Sequence, residues 1–336
     1  MDHSLLRPLL PALLALLAGC AGAAAHIAPA ATNPPSPPPL RTVFLIVMEN
    51  HNWSAIAGNP AAPYINHSLL PSASYATQYD NPPGNHPSLP NYLWLEAGTN
   101  CFPDTGCIRN DGSPSTHSTH SRLHLADLLQ NAGISWRAYE ENITGTTCPF
   151  DAHSILAIGG EQGIPGLAGD LYAPRHDPFV YFDDVTDNLN AHAPRCIRHV
   201  RPFTQLASDL RHNTVARYNF ITPNVCDDMH SPCPLLSNPI KQGDIWLSRV
   251  IPAIQRSRAY RDGGVIFITW DEASSGDGPI GMIVLSPAAR GHGFHNAVPY
   301  THSSTLRTIE EIFGVRPFLG GAARSNDLRA LFRRFP

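Results

Sequence analysis

This chain is poor in charge: only 15% of its 336 residues are Asp, Glu, Lys or Arg, and the formal net charge is −4. It carries no basic run or stripe, so it lacks the electrostatic footprint of a nucleic-acid binder, and no nucleic acid is expected as a partner. No C-x-x-C pair is present, so a thiolate zinc site has no local signature. There is no G-x-S-x-G elbow either, which argues against an esterase-type serine triad. No internal repeat is apparent, and no apolar run is long enough to span a bilayer.

What is present starts with an address. Residues 1–19, "MDHSLLRPLLPALLALLAG", hold one basic residue, Arg7, and an apolar stretch from Leu9 to Leu17. A stretch this short reads as a signal-peptide core. Leu17-Ala18-Gly19-Cys20 resembles a bacterial lipobox, which implies cleavage before Cys20 and lipidation of that cysteine. An ordinary signal peptide cut near Ala25 is the other reading. Residues 20–40 are rich in Ala and Pro and read as a tether. Residues 41–336 are expected to form one domain, exported to the bacterial cell envelope as a lipoprotein in the periplasm or at the cell surface. Six cysteines remain beyond Cys20, an even number that in an exported chain reads as disulfides. Close spacing suggests Cys101–Cys107 and Cys226–Cys233, which leaves Cys148–Cys196.

From residue 41 onward apolar runs alternate with amphipathic segments. Strands are expected over Val43–Met48, Ser135–Tyr139, Phe179–Phe182, Arg217–Ile221, Val265–Trp270 and Gly281–Leu285. Helices are expected over Leu123–Asn131 (Ser121 as cap, Gly133 as stop), Phe203–Leu210, Asp244–Gln255 with a bend at Pro252, and Ser303–Phe313. That alternation gives an α/β fold, a central sheet covered by helices on both faces. The runs "TVFLIVM" and "GVIFITW" are nearly continuous, as in central parallel strands.

Both runs end on oxygen ligands: Glu49 and Asn50 after the first, Asp271 and Glu272 after the second. Ligands of open α/β sheets bind at the carboxyl ends of strands. Three carboxylates and an amide gathered there repel one another unless a cation lies between them. Separate strand-end capping is the plainer reading. In "NPPGNHPSLPNYLWLEAG", Ser88 looks like a helix N-cap with Pro90 in the first turn, a place that attracts a phosphate to a hydroxyl. The plainer reading is a capping serine and nothing more.

The segments "VMENHNW", "HPSLPNYLWLEAGT", "RHDPFVYF", "ITPNVCDDMH", "ITWDE" and "THSSTLRTIEEIFG" follow one another in this order. Together they resemble the phosphoesterase family of bacterial acid phosphatases and phospholipases C, in the alkaline phosphatase superfamily, from Thr42 to Val315. The resemblance implies an alkaline-phosphatase-like sandwich with a mostly parallel sheet. It implies that Glu49, Asn50, Asp271 and Glu272 hold a divalent metal with Ser88 on it or beside it. Ser88 then attacks phosphorus to give a phosphoserine that water hydrolyses. His230 and His176 bind phosphate oxygens or protonate the leaving oxygen. His302 is a metal ligand or orients one, Asp228 supports His230, and His86 stands two residues before Ser88 with its role open. Glu141 and Asn142 fit a family-like motif with no role assigned. The other histidines of the 17 are read as bystanders, with His117, His120 and His124 on the surface.

The departures matter as well. Glu272 stands where two-zinc phosphatases of the superfamily carry a histidine, so one oxygen-rich site is expected, filled by Mg²⁺, Mn²⁺ or Ca²⁺ before Zn²⁺. Phospholipases C continue the first motif as "ENRSFDHYFG" and the late acidic motif with "DHV". This chain has "ENHNWSAIAG" and "DEASSGDGPIG" and ends at Pro336, with no further domain expected. The expected activity is therefore metal-dependent hydrolysis of phosphomonoesters, of acid phosphatase type. The expected partners are a phosphate-ester small molecule or a phospholipid head group, with membrane contact through the lipid anchor alone. A phosphodiesterase or phospholipase C on the same site is the first alternative. A non-catalytic, anion-binding surface lipoprotein is the second.

Overall fold

A computed structural model describes residues 38–152, 171–234 and 236–336, all within one compact unit. The expected signal peptide, Cys20 and the tether as far as residue 37 lie outside the described residues. No described helix is long and apolar enough to cross a membrane.

The core is an eight-stranded mixed sheet. Its strands are β1 (Thr42–Met48), β2 (Ser74–Ala76), β3 (Trp136–Glu140), β4 (Val200–Pro202), β5 (Tyr218–Thr222), β6 (Gly264–Trp270), β7 (Met282–Leu285) and β8 (Phe294–Asn296). They lie in the order β8-β2-β7-β6-β1-β5-β3-β4. The block from β6 to β4 is parallel, and β7 runs antiparallel between β6 and β2. Val43 to Met48 and Val265 to Trp270 have no exposed surface, as strands packed on both faces require. Five longer helices flank the sheet: α1 (Ser88–Ala97), α2 (Leu125–Asn131), α3 (Thr204–His212), α4 (Pro239–Gln255) and α5 (His302–Phe313).

Local chemistry corrects several sequence expectations. Phe179–Phe182 is no strand: Pro178–Tyr181 is a 3-10 turn. Pro178 presets its φ, and the Asp177 side chain accepts the Phe179 N–H, so the apolar run is buried inside a turn. Helix α4 begins at Pro239, well before Asp244, because Asn238 caps it by accepting the Lys241 N–H. Helix α2 starts at Leu125, and Ser121 does not cap it but accepts the Leu123 N–H. Gly281 precedes β7 at φ +83°, and a Cβ there would come within 2.2 Å of the Trp53 ring, so only glycine fits.

All three expected disulfides are present: Cys101–Cys107, Cys148–Cys196 and Cys226–Cys233. Cys148–Cys196 bridges a sequence separation of 48 residues. Loop-closure entropy for a bridge of that span is worth about 4 kcal/mol. The Cys148→Ser/Cys196→Ser pair is therefore expected to lower the midpoint of denaturant unfolding strongly. A loss of stability below about 1 kcal/mol would refute the entropic account.

Candidate active site

The register of β1 and β6 builds the site. Met48 pairs with Trp270, so the next residues, Glu49 and Asp271, emerge side by side at the carboxyl edge. The Asp271 N–H donates to the Met48 carbonyl at 2.8 Å, and the Glu49 N–H to the Asp228 carbonyl at 2.8 Å, which brings in the loop after β5. Asn50 follows at φ +36°, a left-handed conformation that asparagine adopts more readily than most residues. The turn aims its N–H at Asp271 Oδ1 (2.9 Å) and its side-chain amide at Glu272 Oε1 (2.8 Å).

Helix α1 closes the site from above. Pro87, not Ser88, occupies the N-cap, and Ser88 is the first helical residue. Its hydroxyl makes no capping bond and donates to Glu49 Oε2 at 3.1 Å. Asn91 and Tyr92 lie on the same face one turn later. Asn91 Nδ2 donates to Glu272 Oε2 (3.1 Å) and the Tyr92 hydroxyl to Glu49 Oε1 (2.6 Å). Neither residue stood out in the sequence, although the spacing from Ser88 was a usable signal.

His176 is fully packed, its ring stacked on Tyr92 with centroids 5.2 Å apart. Its Nε2 is 3.4 Å from Glu49 Oε1 and its Nδ1 3.4 Å from Asp228 Oδ2. It therefore faces carboxylates and does not line the cleft. His230 is exposed and lines the cleft; its backbone N–H donates to Asp228 Oδ1 at 2.7 Å. His302 lies under the site: its Nε2 meets the Asp271 carbonyl at 2.5 Å and its Nδ1 the Tyr79 hydroxyl at 3.1 Å. Burial lowers its pKa to about 4, so it is a neutral imidazole that fixes the Asp271 backbone. His86 bridges Glu272 Oε2 (2.7 Å) and Asp277 Oδ1 (3.1 Å) at the cleft mouth. Glu141 accepts from the Asn224 N–H (2.9 Å) and Trp246 Nε1 (2.8 Å), and Asn142 from Asn224 Nδ2 (2.9 Å). Both thus anchor the loop that carries Asp228 and His230.

The electrostatics ask for a counter-charge. Burial, then the negative charges of Asp271 and Asp228, raise Glu49 well above the usual carboxylate range. Burial raises Asp228 likewise. Burial pushes Asp271 up to about 7 against the hydrogen bonds it accepts, and burial with the neighbouring Asp271 pushes Glu272 up to about 9. Asp271 Oδ2, Asp228 Oδ2 and His176 Nε2 are buried without a hydrogen-bond partner. Glu49, His176 and Asp228 offer ligand atoms within 4.8 Å of one another. Orphaned ligand atoms converging among buried acids fit a divalent metal ion.

A second group, His124, Asp127 and Asp184, has the same reach but a different charge balance. Arg195 and Arg122 already pair with its carboxylates. His124 is fully buried between Glu96 and Asp184, contrary to the surface position expected, because those carboxylates satisfy both ring nitrogens. It reads as an ion-pair network. The cleft over the first group has a volume of about 570 Å³ and is lined by Asn50, His86, Ser88, Asp111, His230 and Glu272, among others.

The model of the Phosphoesterase family matches residues 82–316. The chain is 27% identical over 281 residues to a phosphatidylinositol-3-phosphatase of Mycobacterium tuberculosis, covering 83% of this chain and 78% of that protein. It is 29% identical over 245 residues to a phosphate-repressible acid phosphatase of Penicillium chrysogenum, covering 70% of this chain and 51% of that one. The chain thus spans about half the length of this fungal relative. In fold it is similar to human ectonucleotide pyrophosphatase/phosphodiesterase 5, with a TM-score of 0.54 at 10% identity, covering 87% of this chain and all of the other. It is similar as well to a Vibrio parahaemolyticus protein of the alkaline phosphatase superfamily, with a TM-score of 0.53 at 11% identity, covering 87% and 70%.

Proposed function

We propose that this chain, which belongs to the Phosphoesterase family and so to the phosphoric ester hydrolases, cleaves phosphomonoesters through a phosphoserine on Ser88. One observation carries the reading: the Ser88 hydroxyl stands at the start of α1, free of capping duty, against Glu49 and open to the cleft. An incoming phosphate is drawn there by the positive end of the helix.

In the proposed reaction the bond from Ser88 Oγ to phosphorus forms as the ester P–O bond breaks. Glu49 Oε2, 3.1 Å away, takes the hydroxyl proton. His230, at the cleft wall, gives a proton to the leaving oxygen. Burial and the charge of Arg175 lower its pKa, which sets the donor form on the acid side of neutral. Water then attacks phosphorus from the side opposite Oγ and gives a proton to His230, the Oγ–P bond breaks, and Glu49 returns the proton to Ser88, which releases inorganic phosphate. Glu49, His176, Asp228 and Asp271, with Asn50 and Glu272 next to them, would hold a divalent ion, which would supply positive charge against the phosphoryl group. The carboxylate-rich set favours Mg²⁺, Mn²⁺ or Ca²⁺ over Zn²⁺. By analogy with the mycobacterial relative, phosphorylated lipid head groups join small phosphomonoesters as proposed substrates. Export and a lipid anchor at Cys20 complete the proposal, supported by three disulfides that belong in an oxidising compartment.

The test compares p-nitrophenyl phosphate, bis-p-nitrophenyl phosphate and phosphatidylcholine with each metal in turn. Monoester turnover is expected to exceed diester turnover by about tenfold or more in kcat/KM. Faster cleavage of either diester overturns the monoester assignment. No turnover of any of the three shifts weight to the anion-binding reading.

A further inference from the structure

Arg175 lies one residue before His176, in the 3-10 turn Pro174–His176. Its positive charge reaches Glu49, Asp228, His176 and His230. Yet it makes no hydrogen bond to any described residue. Its one partner among them is Asp111, with Arg175 Nε 3.5 Å from Asp111 Oδ2, an ion-pair distance too long for a good hydrogen bond. Five N–H groups in a planar fork are therefore left short of acceptors.

Asp111 occupies a telling position. Its other oxygen, Oδ1, accepts the Leu89 N–H at 3.0 Å. Leu89 follows Ser88 directly, so this N–H belongs to the open first turn of α1. Asp111 also lines the cleft beside Ser88, His230 and Glu272, and Arg175 reaches the cleft wall through it, its Nε 3.5 Å from Asp111 Oδ2. One carboxylate thus spans a guanidinium and a helix N-terminal N–H, the two donors that suit a phosphoryl group. It does so at the mouth of a site already crowded with acids, so its contact with the helix N-terminus comes with an added negative charge beside the cleft. The two side chains are 28% and 32% exposed, so Asp111 can turn to water without opening the core.

We propose that Arg175 binds the phosphoryl group of substrate and product, and that Asp111 is the resident anion it exchanges for that group. The inference rests on the phosphate-ester reading above and adds a residue that sets affinity. Asp111 competes with every incoming phosphate for Arg175 and the Leu89 N–H. It therefore raises KM, and it equally weakens retention of inorganic phosphate after hydrolysis. A substrate held by further contacts outside the cleft tolerates the competition better than free phosphate does.

The experiment measures KM for p-nitrophenyl phosphate and Ki for inorganic phosphate in wild type, Asp111→Asn, Arg175→Ala and the double variant. Asp111→Asn keeps an oxygen for the Leu89 N–H and removes the charge. It is expected to lower both constants about threefold to tenfold, and Arg175→Ala to raise both about tenfold or more, the scale of one charge-assisted hydrogen bond. In the double variant the gain from Asp111→Asn is expected to shrink, because the two act on one contact. Unchanged or raised constants in Asp111→Asn, or unchanged phosphate affinity in Arg175→Ala, overturn the proposal. If the wild type hydrolyses no ester, the phosphatase reading fails separately. Calorimetric titration of the metal-loaded protein with inorganic phosphate then still decides the exchange, by the same order of affinities.

Discussion

Ser88→Ala is expected to reduce kcat for phosphomonoesters by about a thousandfold or more while leaving the fold in place, since a missing nucleophile is not replaced by its neighbours. The fold survives because the hydroxyl contributes one hydrogen bond, to Glu49, worth about 1 kcal/mol net. Two measurements separate this from mere misplacement of substrate. Acid quenching of the wild type during turnover is expected to trap one phosphoryl group on Ser88, visible by mass spectrometry, and none on the variant. The KM of whatever activity remains is expected to stay near wild type, because Ser88 forms and breaks bonds while other groups bind. Wild-type rates in the alanine variant sink the covalent mechanism, and a phosphoryl group trapped on another residue moves the nucleophile elsewhere.

Removing metal is expected to abolish activity and, less obviously, to reverse the dependence of stability on pH. Burial holds Asp271 near 7 and Glu272 near 9, above the values of about 4 that carboxylates show in an unfolded chain. A folded pKa above the unfolded one contributes stability that is complete below the unfolded value and lost as pH rises through the folded value. The chelated protein is thus expected to lose stability steadily from about pH 4 to about pH 9. A bound cation needs the same groups deprotonated, so the metal-loaded protein gains stability over that interval. A metal concentration about a hundred times Kd adds about 2.7 kcal/mol. Thermal melts at acid and alkaline pH, with chelator and with Mg²⁺ or Mn²⁺, check both signs. A chelated protein that grows more stable toward alkaline pH, or melts that ignore metal, remove the metal reading of these acids.

The strands that carry the site were legible because they are nearly continuous apolar runs, as burial on both faces requires. Val43–Met48 and Val265–Trp270 read as central strands from composition alone, and their polar ends followed. What stayed hidden depends on contacts between distant segments. Phe179–Phe182 is the local exception: it has the composition of a strand, but Pro178 and the capping carboxylate of Asp177, both beside it in sequence, make it a turn. His124 stands in a polar stretch of sequence, and only the fold places Glu96 and Asp184 around it. Ser88 was visible as a helix-start serine, but its bond to Glu49 needs the register of β1 against α1. Asn91 and Tyr92 show the reverse case: their spacing from Ser88 was in plain view, and what was missing was knowledge of which face of α1 meets the acids.

The partners in this site are far apart along the chain: the amide of Asn50 and the carboxylate of Glu272 are separated by 222 residues. A nascent or threading chain therefore holds no more than fragments of the ligand set, and none that grips an ion firmly. The full set appears only once β6 has docked beside β1, a late, long-range event. Which cation such a site would acquire then depends on supply in the compartment where folding finishes, together with ligand type and geometry. Were the chain exported unfolded, as proposed, metallation would become a matter of geography: the ion would be chosen at the destination and not at the ribosome.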